Sequence, residues 1–283
     1  MAKRPDWRQL LAVAGILLAG DMAPADARTI HPEPGSFQLS YDVYKGGFHV
    51  LAADLDVEFG AGRYDVTAQI RAQGILAWWT DWWQVVRAAG RFTPWGPAPN
   101  AYRSDAYYSG TQRQVAIDYV DGQVVDVRRM PLQDEPDRED VPVSARRHTV
   151  DPVSAILAGI WLMAEGFGCG GRFAVFDGRR RYDLVLADRG EYVLADRPRF
   201  VSDATTRRCD ATFEPIAGFV TEDAESSRHL KSARAWLAPV IDGAPLVPVR
   251  IELDGDWGQT VLHLRAAHRT AVDSAGLGAD ERR

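Results

Sequence analysis

Cys169-Gly170-Gly171-Arg172-Phe173-Ala174-Val175-Phe176-Asp177-Gly178-Arg179-Arg180-Arg181-Tyr182-Asp183-Leu184 contains two short β-prone runs on either side of an Asp-Gly pair. Branched and aromatic residues flanking Asp-Gly fit a β-hairpin with a tight turn. The only other cysteine is Cys209. In an exported chain, two cysteines read as one disulfide. A bond between Cys169 and Cys209 would staple the hairpin at its base, and closing that loop removes about 4 kcal/mol of unfolded-state entropy. A free catalytic thiol is the competing reading.

The N-terminus supports export. Lys3, Arg4 and Arg8 precede an apolar run from Leu10 to Ala19, and Ala25-Asp26-Ala27 offers small residues for signal peptidase. The run is too short for a transmembrane helix, which needs about 17 to 25 residues. Leu17-Leu18-Ala19-Gly20 resembles a lipobox, but Asp21 stands where a lipidated cysteine is required. The expectation is a cleaved signal peptide over 1–27, a leader over 28–36, one β-rich domain over 37–268 and a disordered tail over 269–283. The mature chain would be periplasmic and unlipidated, with no transmembrane segment.

Outward from the hairpin, strand grammar dominates. Phe37, Leu39, Tyr41 and Val43 alternate with polar residues, the period-2 pattern of a half-buried strand. Gly46-Gly47 and Gly60-Ala61-Gly62 permit reversals into Phe48 to Phe59 and Arg63 to Ala72. Further strands are predicted over 90–93, 102–109, 113–119, 123–129, 191–201, 209–215, 232–238, 247–253 and 259–266, with Asp121-Gly122 as a two-residue turn. The polar stretch from Pro131 to Arg147 reads as an exposed loop, with an interdomain linker as the other option. One amphipathic helix is predicted, with Asp151 as N-cap, Pro152 at N1, an apolar face of Val153, Ile156, Leu157, Ile160 and Trp161, and an end at Gly166. About a dozen strands without a βαβ rhythm imply a mainly β fold, an antiparallel curved sheet or β-barrel, open or closed, with one helix against it.

Two clusters invite a functional reading. Trp78, Trp79, Trp82 and Trp83 recur at helical spacing, although a strand suits tryptophan nearly as well. They either plug one end of a barrel or line a ligand mouth. Asp177, Arg179, Arg180, Arg181, Tyr182 and Asp183 form the densest polar cluster near aromatics, with Arg179, Arg181 and Tyr182 as its ligand-binding candidates. Arg179 and Arg181 would share a strand face and could grip a carboxylate or phosphate, or they are the solvated flank of a turn.

Catalytic chemistry has no local signature. The six histidines are scattered without metal-ligand spacing, and neither a phosphate loop nor a G-x-S-x-G elbow occurs. No catalytic residue, metal or cofactor is expected. A net charge of −6 provides no electrostatic footprint for nucleic acid, and no dense basic cluster for an anionic membrane stands out.

The order Asp151-Pro152-Val153-Ser154-Ala155-Ile156, Cys169, Phe176-Asp177-Gly178-Arg179-Arg180-Arg181-Tyr182-Asp183-Leu184 and Cys209 resembles the family known as domain of unknown function 3108, found in exported bacterial proteins. Tyr41-Asp42-Val43-Tyr44 followed by Gly46-Gly47 is similar too, so the resemblance spans roughly Phe37 to Leu264. It implies a curved antiparallel sheet with a helix against it, like the open barrels of periplasmic lipoprotein carriers, and brings no catalytic residues. The leading expectation is a non-enzymatic module for a lipid or other hydrophobic or amphipathic ligand. An interaction or scaffold module for an envelope protein is the alternative, and an envelope glycan hydrolase the third.

Overall fold

A computed structural model of the chain describes residues 34–108, 110–132, 139–195, 205–219, 231–255 and 258–270. The predicted signal peptide lies outside these residues, as do 28–33 of the predicted leader and 271–283 of the predicted tail, whereas Gly35, Ser36, Arg269 and Thr270, expected in the leader and the tail, lie in strands. The strands are β1 (Gly35–Lys45), β2 (Phe48–Gly60), β3 (Arg63–Ala72), β4 (Trp82–Thr93), β5 (Gly96–Tyr108), β6 (Thr111–Val120) and β7 (Gln123–Met130). After the helix α1 (Pro152–Ala164) come β8 (Gly171–Phe176), β9 (Arg181–Val193), β10 (Thr205–Ala217), β11 (Ser232–Ala238), β12 (Val247–Asp254) and β13 (Thr260–Thr270). They form one antiparallel sheet in the order β7-β6-β5-β4-β3-β2-β1-β13-β12-β11-β10-β9-β8.

Each half is a meander, and the seam where β1 pairs with β13 joins them. The hairpin turns follow from residues that tolerate a left-handed backbone. Asp121 and Gly122 have φ of 48° and 73°, and Ala61 and Gly62 have 47° and 73°, the signs that match strand twist. On β1, Phe37, Leu39, Tyr41 and Val43 are all buried, as their alternation predicts.

The terminal strands β7 and β8 are not paired with each other, so the sheet is an open barrel. Three other pieces bridge the gap. Val150, just before α1, makes a parallel bridge to Val175 on β8. Val141 is buried with Ile117 and Tyr119 of β6 and with Phe176 of β8, and Arg146 stacks over the Phe176 ring. The helix is the third, with Leu157 packed among Phe37, Phe59, Tyr64 and Phe92, and Ala155 against Val175 and Leu184.

Several sequence expectations need correction. The stretch after Pro131 is not simply exposed, because Val141 is 1% accessible and closes the core; residues 133–138 lie outside the described part. The strand expected over 191–201 begins earlier, as the long second arm of the hairpin, β9, which ends at Val193. On the helix, Ile156 is exposed while Ser154, Ala155, Leu157, Ala158 and Gly159 are buried. Small residues win this face because the helix lies close to the sheet: a Cβ at Gly159 would come within 2.6 Å of Leu186 Cδ1.

Candidate functional site

The inner face of β4, β5 and β6 changes character along the strands. Cross-strand register sets four rows: Ala88, Tyr102 and Ile117; Val86, Ser104 and Val115; Gln84, Ala106 and Arg113; Trp82, Tyr108 and Thr111. The first row is buried core, the next two mix apolar and polar groups, and the last forms an aromatic rim. Gln84 Nε2 donates to Ser104 Oγ at 3.0 Å, which fixes both amphipathic rows.

The opposite wall is the β8–β9 turn. Asp177 Oδ1 accepts the backbone N–H groups of Arg179 (2.8 Å) and Arg180 (2.6 Å). This self-capped loop has Gly178 at φ 93° and leans on β6. Arg179 Nη2 donates to the carbonyls of Met130 (3.3 Å) and Pro131 (3.2 Å), tying the turn to the end of β7. Arg180 lies 5.9 Å from the Phe219 ring. Between the walls is a cleft of about 480 Å³, lined by Trp82, Gln84, Tyr102, Ser104, Ala106, Tyr108, Thr111, Arg113, Val115, Asp177, Arg179 and Arg180. Three guanidinium groups and one carboxylate share it with aromatic and aliphatic surface.

Below the cleft runs a buried polar chain. Asp151 is fully buried and caps α1, its Oδ1 accepting N–H from Val153 (2.9 Å) and Ser154 (3.0 Å) while Ser154 Oγ donates to Oδ2. Ser154 Oγ also lies 2.6 Å from Tyr64 Oη on the barrel wall. Burial pushes the Asp151 carboxyl above the usual range, against the pull of the Ser154 and Val153 donors. Burial likewise raises the Tyr64, Tyr102, Tyr119 and Tyr182 hydroxyls, so they remain protonated. The network holds the helix in the barrel.

A family model described as protein of unknown function (DUF3108) matches residues 40–265, from within β1 to within β13. The chain belongs to that family. Among solved structures, this DUF3108 chain is similar to a β-barrel-like protein of domain of unknown function DUF1849 from Brucella abortus, at 9% identity and TM-score 0.50, over 85% of this chain and 99% of that one. That likeness concerns the fold. A putative outer membrane lipoprotein-sorting protein domain from Vibrio parahaemolyticus aligns over 87% of this chain and 88% of its own at 8% identity, with a TM-score of 0.26. No curated protein matches the chain.

The DUF3108 fold separates the candidate residues that the sequence groups. Trp82 faces inward at the cleft rim. Trp83, the next residue on β4, points outward and stacks on Tyr107 at 6.2 Å and 12°. Trp78 and Trp79 lie on a 3₁₀ turn over Leu76–Trp78 and the residue after it, in the link before β4, and are 88% and 82% exposed. Arg179 lines the cleft, whereas Arg181 starts β9 and pairs with Asp183 at 2.6 Å. Tyr182 packs beside Phe213, away from the cleft lining. Cys169 and Cys209 are bonded, linking the start of β8 to β10 across β9. Sequence reasoning missed Arg113, Gln84 and Ser104, and gave Arg180 no role of its own within the turn cluster. The signal for the first three was strand alternation in β4 to β6, where polar residues recur at inward positions that a filled core would give to apolar ones; Arg180 lies on the β8–β9 turn.

Proposed function

We propose that this chain is an exported, periplasmic, unlipidated and non-enzymatic protein whose single domain, residues 37–268, binds an anionic amphiphile in the β4–β6 cleft. The observation that carries this is the pairing of Arg113, Arg179 and Arg180 with the apolar surface of Trp82, Tyr102, Tyr108 and Val115 in one cleft of about 480 Å³. Cleft volumes of roughly 300 to 1,000 Å³ suit small ligands, and guanidinium groups suit carboxylate or phosphate heads. The disulfide supports an oxidising compartment. Export through a signal peptide over 1–27 rests on the sequence pattern.

The test is titration of delipidated protein with dodecanoate, dodecyl phosphate and dodecanol, followed by calorimetry. Saturable binding of the two anions, with dodecanol at least about tenfold weaker, is expected from the charge-assisted contacts. Equal binding of all three, or none, would overturn the proposal.

A scaffold role has one specific observation behind it. Strand β7 pairs with β6 alone among the described residues, and a groove of about 300 Å³ runs between Gln123–Val127 and Val143–Arg147. An extended segment of an envelope protein could add to that edge. A photo-crosslinker at Val125 would trap one reproducible partner in cells if it does, and none if the edge is idle.

A further inference from the structure

Three connections meet at the rim where the cleft opens. The β1–β2 turn carries Phe48, 64% exposed; the β3–β4 link carries Ile75, Trp78 and Trp79, at 54%, 88% and 82%; the β5–β6 turn carries Tyr108, at 59%. Register places them side by side, since Lys45 pairs with Phe48, Leu51 with Ala72, Arg71 with Trp83, and Trp82 with Tyr108. The link is seated on β2, because the Gln73 N–H donates to the Val50 carbonyl at 2.8 Å and a Cβ at Gly74 would meet the His49 carbonyl oxygen at 2.4 Å. The two tryptophans are therefore held outward by a fixed turn.

From this placement we infer that the rim is a docking surface for a bilayer leaflet containing anionic lipid, with Trp78 and Trp79 seated among the headgroups. Indole and phenol rings combine an apolar body with a polar edge, which suits the membrane interface. The side chains project from one connection, the β3–β4 link, and from the strand ends beside two others, Phe48 opening β2 and Tyr108 closing β5, and do not come from one continuous strand or helix. Positive charge is present at the rim: Lys45 pairs with Phe48, and Arg113, Arg179 and Arg180 stand at the cleft, while the nearest carboxylates are Asp81 and Asp177 on the connections and Asp42 and Asp105 three residues down β1 and β5, where they meet His49 and Gln112. Docking in this pose would turn the cleft mouth toward the lipid. It does not depend on the cleft being filled, so the dodecanoate titration and the docking test can fail separately.

The test is co-sedimentation of the exported protein, as the cell processes it, with vesicles of phosphatidylcholine and phosphatidylglycerol at 3:1, and with phosphatidylcholine alone. The double variant Trp78→Ser/Trp79→Ser is compared with Trp95→Ser, which removes a 92%-exposed tryptophan from the β4–β5 turn at the opposite rim. All share the same N-terminus, and none of these side chains supports the core. The expected result is that the double variant binds the mixed vesicles at least about tenfold more weakly, Trp95→Ser binds like the parent, and omitting phosphatidylglycerol weakens the parent. Parent-like binding by the double variant, or an equal loss in Trp95→Ser, overturns the inference. So does a dimer in sedimentation equilibrium that the double variant abolishes, for then a second copy covers the rim.

Discussion

Gly178 lies directly against Val115: a Cβ built at position 178 would fall 2.2 Å from Val115 Cγ1. The hairpin turn of the second meander thus touches the inner face of the first, and at φ 93° only glycine sits there without strain. Gly178→Ala should destabilise the fold by about 2 to 3 kcal/mol through overpacking and backbone strain. Adding Val115→Ala should recover part of the loss, because the cavity accepts the new methyl group while the backbone strain persists. Urea unfolding of the two single variants and the double variant checks this; strictly additive losses would show that the turn and β6 are not in contact.

Asp151 is the carboxylate around which the helix is seated. Its raised value means that the fold favours the protonated form. Its contribution is therefore complete below the ordinary value of about 3.9 and is lost as pH rises through the raised value. Asp151→Asn keeps an acceptor for the Val153 and Ser154 N–H groups but cannot ionise. Relative to that variant, the parent should lose stability as pH rises from about 4 and then level off. Asp151→Ala should cost about 2 to 3 kcal/mol near pH 4, since cap and network both go, and the gap should narrow at higher pH as the parent itself loses stability. Unfolding midpoints from pH 4 to 8 provide the comparison.

The opposite sign applies to Asp188. Burial pushes this carboxyl up, yet the Arg207 guanidinium, bound through Nε at 2.9 Å and also through Nη2, and the Gly190 N–H at 2.7 Å together hold it below the usual range. Its contribution is present above about 3.9 and disappears as pH falls through the lowered value. Asp188→Asn should remove about 1 kcal/mol at neutral pH, discounted for partial exposure, and less in acid. A stability gap that widens below pH 4 would contradict the assignment.

Removing the disulfide should matter for the same corner of the fold. Cys169 and Cys209 are buried with Leu237, and the bond ties β8 to β10. Cys169→Ser/Cys209→Ser should lose about 2 to 4 kcal/mol. An unchanged unfolding midpoint would show that the loop is constrained by strand pairing alone.

The fold was legible where one residue pattern has one structural outcome. Alternation in β1, the Asp121-Gly122 turn and the Asp151-Pro152 helix start are of this kind, because side-chain period, φ sign and cap chemistry act locally. The closure of the barrel was not, since Val141, Phe176 and Gly178 meet Val115, Ile117 and Tyr119 only through contacts distant in sequence. The four neighbouring tryptophans illustrate the limit. Adjacent positions in a strand face opposite ways, so Trp82 and Trp83 part company, while a three-residue turn carries Trp78 and Trp79 clear of both. The arginines of the cleft come from β6 and from a turn in the other half of the chain, so no linear motif joins them.

The most direct measurement of the central claim locates the ligand. In a spectrum of assigned methyl and indole signals, dodecanoate should shift Val115 and Trp82, which line the cleft, and leave Val249 and Leu264, in the core of the other half, unmoved. Arg113→Gln should weaken those shifts at equal ligand concentration. Unmoved Val115 and Trp82 signals at saturation, or shifts centred on Val249 and Leu264, would contradict a β4–β6 ligand cleft.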